Sequence, residues 1–117
     1  MKIYNQASDV ISINQQAVVL FTRGEKFICD SLGNGMTGNW VVDPEMLEDV
    51  DKVIIYLRRV DDDVNRIFFG NYAGTRKSDE PRRCTIRFNS LKEVGITEAN
   101  WLDFAGGGQN PVSYVSK

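Results

Sequence analysis

Residues 53–74 read VIIYLRRVDDDVNRIFFGNYAG, two apolar β-rich runs joined by an acidic turn. The first run, VIIYL, is continuously apolar, which predicts a strand over residues 53–58 buried on both faces. Asp61, Asp62 and Asp63 break it, and RIFFGNY predicts a second strand over residues 66–72. Gly70, in the middle of that run, predicts a bulge or a close backbone approach. This pair is the expected scaffold.

The frame around it is that of one domain. A chain of 117 residues is long enough for one core. With 42% hydrophobic and 26% charged residues it has the composition of a soluble globular protein. No apolar run approaches the roughly 20 residues that cross a bilayer. The first residues, MKIYNQASDV, lack the apolar segment of a secretory signal, so a cytoplasmic protein with no membrane partner is expected. Histidine is absent, which removes histidine-based triads and the usual base near neutral pH. Two cysteines, Cys29 and Cys84, sit in apolar runs and are expected as buried free thiols rather than zinc ligands. Three consecutive aspartates point different ways and have no partner at calcium-loop spacing, so neither a metal nor a cofactor is expected.

The formal charge of −2 is unevenly distributed. Residues 58–88 hold eight basic side chains against five acidic ones, whereas residues 1–57 hold four against eight. Seven of the eight are arginine, the residue suited to forked contacts with phosphate or carboxylate. The alternative is a solvated strand face paired with local acids.

Outward from the centre, AVVLFT at 17–22 predicts a buried strand, and Arg23-Gly24-Glu25 a tight turn. KFICD at 26–30 is expected to pair back on it as a hairpin. SLGNGMTGN at 31–39 predicts a flexible loop, without the Lys-Ser or Lys-Thr of a phosphate loop. Asp43 is expected to cap a short helix over 44–49 with Pro44 at its first position and Met46, Leu47 and Val50 on its apolar side. Residues 74–81, GTRKSDEP, predict an exposed mobile loop. RCTIRF at 83–88 alternates, with Cys84, Ile86 and Phe88 inward. Ser90 to Glu93 matches a capping box for a turn of helix closed by Gly95. Thr97 is expected to cap a second helix packing Trp101, Leu102 and Phe104 inward and stopped by Gly106. VSYV at 112–115 predicts the last strand, and residues 1–16 a short helix or lead-in strand. The sum is an α+β, mainly β fold of five to six strands with two or three short helices. Short strands and Gly-rich turns fit a small, partly closed antiparallel barrel.

DKVIIYLRR, NRIFFGNYAGT and RRCTIRF, with the short helix before them, resemble the core of PUA-like domains of the EVE and ASCH branches over residues 38–90. The chain lacks the aromatic N-terminal signature of the EVE branch and the lysine-bearing catalytic pattern of the ASCH branch. The resemblance implies a pseudobarrel that binds RNA or a modified nucleotide in a cleft beside these strands.

The side chains expected to line such a cleft are Arg58, Arg59, Arg76, Lys77, Arg82, Arg83 and Arg87 for phosphates, with Trp40, Asn71 and Tyr72 beside them. Core packing is the competing role for Trp40 and Trp101. A pI near 5.1 argues against broad nonspecific binding to nucleic acid and favours a small cleft for one nucleotide. No spacing assembles a catalytic constellation, so a non-enzymatic binding protein is expected. The second reading is a phage or mobile-element protein that inhibits a host nuclease or defence complex by protein contact, through acidic residues 43–51 or the arginine strands.

Overall fold

A computed structural model describes residues 2–117. Along the chain run β1 (Lys2–Ile3), a 3-10 turn (Ala7–Asp9), β2 (Gln16–Thr22), β3 (Phe27–Cys29), β4 (Gly35–Trp40), α1 (Pro44–Leu47), β5 (Lys52–Leu57), β6 (Asn65–Lys77), β7 (Cys84–Thr97), α2 (Trp101–Ala105) and β8 (Val112–Ser116). The fold is mainly β, with two short α-helices. The eight strands form one sheet in the order β3-β4-β7-β6-β5-β2-β8, with β1 paired to β7. The sheet does not close, and β3 and β8 are its edges.

The central pair forms as its composition dictates. β5 and β6 pair antiparallel from Lys52↔Asn71 to Leu57↔Arg66. Both faces of β5 are covered because its side chains supply two separate cores. Val53 and Ile55 join Val18, Leu20, Trp40, Ile86 and Phe88 on one face. Ile54 and Tyr56 join Val19, Tyr4, Ile11, Ile67 and Phe104 on the other. Each such side chain contributes about 1.5–3 kcal/mol by leaving water. The Tyr56 ring sits among Phe21, Trp101 and Phe104 at centroid distances of 5.5, 5.5 and 5.3 Å. Its hydroxyl donates to Ala99 O at 2.7 Å, so the phenol is buried without an orphaned polar group.

Several expectations are corrected. β3 does not pair back on β2; it pairs with β4, because the Gly-rich stretch 35–40 is a strand and not a loop. A Cβ on Gly35 would stand 1.9 Å from Ile28 O, so only glycine lets these strands approach. β2 instead pairs parallel with β5 and antiparallel with β8, which makes the sheet mixed rather than antiparallel. β6 runs on through Gly74 to Lys77, and the sequence expected to be a mobile loop from residue 74 is half strand. The capping box at Ser90 makes no helix: β7 passes through it, with Ser90 at φ 53 and register shifts opposite Phe68 and Asn71. The tertiary ladder with β6 overrides the local signal there. Asn100, not Thr97, caps α2, accepting from Asp103 N at 2.9 Å; Thr97 ends β7. Leu102 and Met46 are exposed, and so is Cys29, since β3 lies at the sheet edge. Cys84 is half-buried.

Other expectations hold. Asp43 caps α1 through its carboxylate, 3.0 Å from Glu45 N, with Pro44 at the first position. Gly70 sits at a register shift, where a Cβ would meet Leu91 Cα at 2.8 Å and Asn89 O at 2.9 Å. The paired shifts along β6 and β7 bend the two long strands, and their two ends serve different halves of the sheet. Near Asn65 the pair flanks β5, and near Lys77 it flanks β4.

Candidate functional site

The bend brings three connections together at one end of the molecule. They are the β2–β3 turn (23–26), the end of β4 (38–40), and the β6–β7 turn (78–83). Between them lie two adjoining clefts. One, of about 360 Å³, is lined by Phe21, Thr22, Arg23, Glu25, Lys26, Gly38, Asn39, Trp40 and Glu80. The second, of about 540 Å³, shares Lys26, Asn39 and Glu80 and adds Arg76, Lys77 and Asp79, with Met36 and Thr85 below.

Local bonds set this frame. Gly38 N donates to Lys26 O at 3.2 Å, tying the turn to β4. Lys26 holds φ at 54, in the left-handed region that a non-glycine residue adopts at a cost. Arg83 donates from Nη1 to Asn39 O at 3.1 Å and pairs with Glu80 at 3.4 Å. Lys26 Nζ is 3.5 Å from the other Glu80 oxygen, so one carboxylate is shared by two cations from different connections. The Arg23 guanidinium lies over the Phe21 ring at 5.7 Å. Cations thus outnumber carboxylates here: Arg23, Lys26, Arg76, Lys77 and Arg83 against Glu25, Asp79 and Glu80.

The structure divides the expected site residues. Arg76, Lys77, Arg83 and Trp40 meet at the clefts. Arg87 is exposed on β7 across from Met36, a neighbour of the second cleft, and Arg82 is exposed in the 78–83 turn with φ 64. Arg58 and Arg59 follow β5; Arg58 N donates to Thr22 O at 3.0 Å beside the first cleft, while its guanidinium donates to Asn65 Oδ1 at 3.1 Å, and neither arginine lines the clefts. Asn71 belongs to a separate polar row, accepting from Lys52 Nζ at 2.6 Å and donating to Asn89 at 3.0 Å. Tyr72 faces another groove, with Val42, Pro44, Leu47, Glu48, Thr75 and Cys84. Burial pushes the Tyr72 phenol and the Cys84 thiol above their ordinary pKa values, which leaves both neutral near pH 7. Trp40 is only 6% exposed, so its ring faces are taken by the core and are not open to a stacking base.

Arg66, central in the basic segment, is neutralised locally. It pairs with Asp62 at 3.1 Å and Glu93 at 3.0 Å, and those partners raise its pKa further. Asp62 therefore serves as an arginine partner. Among the described residues, no three His, Cys, Asp or Glu side chains gather as a metal-holding group. Among the same residues, no helix is long and apolar enough to cross a membrane.

The cleft also contains residues whose role was not legible in sequence: Arg23, Lys26, Asn39 and Phe21. Arg23 and Lys26 read as turn residues in the acidic half of the chain. The pairing of β3 with β4, and of β4 with β7, carries that turn to the basic segment. No family model, curated protein or solved structure matches the chain.

Proposed function

We propose that this chain is a small, non-enzymatic binding module of the PUA-like kind, which takes RNA or a modified nucleotide into the cleft beside Lys26 and Lys77. In this reading the bent sheet is a pseudobarrel left open between β3 and β8. One observation carries the proposal: an acidic chain gathers five cations, from the β2–β3 turn, the end of β6 and the β6–β7 turn, around two adjoining clefts. Clustered cations repel one another, and a bound phosphate offsets that repulsion. The left-handed Lys26 supports the same reading, because costly backbone states persist where function retains them.

The test is binding of the purified protein to single-stranded RNA, single-stranded DNA and modified duplex DNA at two salt concentrations. Binding that weakens with salt is expected, and Arg76→Ala with Lys77→Ala lowers the salt slope by about one per lost phosphate contact. Lys52→Ala, at the end of β5 farther from Thr22 and outside both clefts, leaves binding unchanged. No binding to any of the three at low salt overturns the proposal.

A second reading, contact with a host protein as a phage or mobile-element inhibitor, has its own support. The free edge β3 exposes Ile28 (66%), and Leu32 follows it at 78%. Exposed apolar edge strands invite pairing with another chain. Ile28→Lys abolishes capture of a partner in this reading and leaves nucleotide binding untouched.

A further inference from the structure

We infer that β3 is the seam of a two-fold dimer, in which a second copy of this chain adds its own β3 antiparallel and joins the two sheets; this is independent of what the cleft binds. Three observations lead there.

The first is the direction of the backbone groups. Lys26 O accepts from Gly38 N at 3.2 Å and Asp30 N donates to Asn34 O at 2.9 Å, so both residues bond toward β4. Bonding alternates along an antiparallel pair, so Ile28, opposite Met36, bonds the same way. Phe27 and Cys29 therefore present their N–H and C=O groups to the open side. β3 ends the sheet, so these groups are a template for a further strand. The other edge is less open. Val41, Val42 and Asp43 lie across a groove from β8, and Asp43 N donates to the Tyr114 hydroxyl at 3.0 Å.

The second is what the centre of the edge carries. Edges that refuse a partner have a charge, a proline or a bulge there. The middle residue of β3 is Ile28, exposed, with Met36 beside it on the same face.

The third is self-complementarity. Residues 26–30 read KFICD, a cation, three apolar residues and an anion. Outward-facing residues bond across the new seam, so Phe27 meets the partner's Phe27 or the partner's Cys29, or Cys29 meets the partner's Cys29. Of these registers, Phe27 on the partner's Cys29 sets Ile28 against the partner's Ile28 and the Lys26 end against the partner's Asp30. Asp30 Oδ1 accepts from Leu32 N and Asn34 N at 2.9 Å each, which leaves Oδ2 to face an ammonium. An ammonium has three donors, so the contact of Lys26 with Glu80 leaves room for a second carboxylate. Opposed charges of this kind fix register more than they add affinity. Phe27, half-buried against Phe68 and Phe88, has its open side covered by the partner's Cys29. A seam this short places the dimer in the weak class that forms at high concentration.

Sedimentation equilibrium of the full chain from about 10 µM to about 1 mM is expected to show monomer and dimer in exchange. Ile28→Lys, which opposes two ammoniums, is expected to weaken the dimer tenfold or more. Cross-linking by oxidised glutathione reads the register. Ile28→Cys in a Cys29→Ser background is expected to link at least tenfold faster than the wild-type chain, with Cys29→Ser alone as the baseline from Cys84. Directly opposed positions of the non-bonded kind stand about 4.5 Å apart at Cα, whereas the two Cys29 lie on a diagonal of about 7–8 Å, past disulfide reach. If Ile28→Lys does not fold, the cross-linking rates stand as the test. A dimer that links faster through Cys29 overturns the register on which the inference rests. A dimer that Ile28→Lys leaves intact overturns the seam. A monomer throughout the range overturns the inference and leaves β3 to a foreign protein.

Discussion

The Lys26 ammonium and the Glu80 carboxylate lie 3.5 Å apart and join the β2–β3 turn to the β6–β7 turn across the cleft. Both side chains are more than half or about half exposed, at 58% and 50%, so the pair adds under about 1 kcal/mol to stability. Its consequence is electrostatic: Glu80 occupies two of the cations that would otherwise meet an anion. Glu80→Gln is therefore expected to tighten nucleotide binding about threefold while leaving the denaturation midpoint almost unchanged. Titration calorimetry and urea unfolding check both halves. Weaker binding would show that Glu80 contacts the ligand.

Lys26 combines a charge in the cleft with a φ of 54. Glycine takes that backbone state freely, although it gives up more freedom on folding. Lys26→Gly is expected to hold or raise stability by up to about 1 kcal/mol and to weaken nucleotide binding. A fall in stability with unchanged affinity would contradict the role given to this residue.

Gly70 is the point where β6 passes the backbone of β7. A Cβ there meets Leu91 Cα at 2.8 Å and Asn89 O at 2.9 Å, and backbone atoms do not step aside as side-chain ends do. Gly70→Ala is expected to cost about 1–3 kcal/mol in urea unfolding, by overpacking. Gly74→Ala meets nothing within 4 Å, and its cost comes only from a φ of 102.

Stability is expected to fall on the alkaline side. Burial raises all four tyrosines, Tyr4, Tyr56, Tyr72 and Tyr114, above their ordinary value of 10.0, and the half-buried Cys84 thiol above 9.0. Above about pH 9 the unfolded chain therefore loses these protons first and binds fewer than the folded one, so unfolding becomes easier as pH rises. The stabilisation is complete below the unfolded pKa values and is lost as pH climbs through the folded ones. With no histidine, no side chain of ordinary pKa titrates between pH 6 and 8. Thermal midpoints from pH 6 to 11 check this: a plateau to about pH 8, then a decline.

What was legible in the sequence tracks how local each cause is. VIIYL announced a strand covered on both faces, and β5 is one. Asp43-Pro44 announced a capped helix start, and the carboxylate is on Glu45 N. Gly70 announced a bulge. Pairing partners were not legible, because AVVLFT carries no mark that favours β5 and β8 over β3. Gly35 to Asn39 looked like a loop, since glycines there serve a close strand approach visible only beside Ile28. Ser90 to Glu93 looked like a helix start, and the ladder with β6 decided otherwise. Of the candidate site, Arg76, Lys77 and Arg83 came from charge clustering, and Arg23 and Lys26 from nothing local. Arg58, although it follows β5 beside Thr22, turns its guanidinium to Asn65 and so stays out of the cleft.

The most direct measurement is a map of backbone amide shifts in ¹⁵N-labelled protein on adding a nucleoside monophosphate at low salt. The account predicts shifts concentrated at Arg23, Lys26, Gly38, Asn39, Lys77 and Glu80, with Lys52 and Tyr72 still. Shifts centred on Tyr72 and Cys84, or no shifts at all, would contradict it.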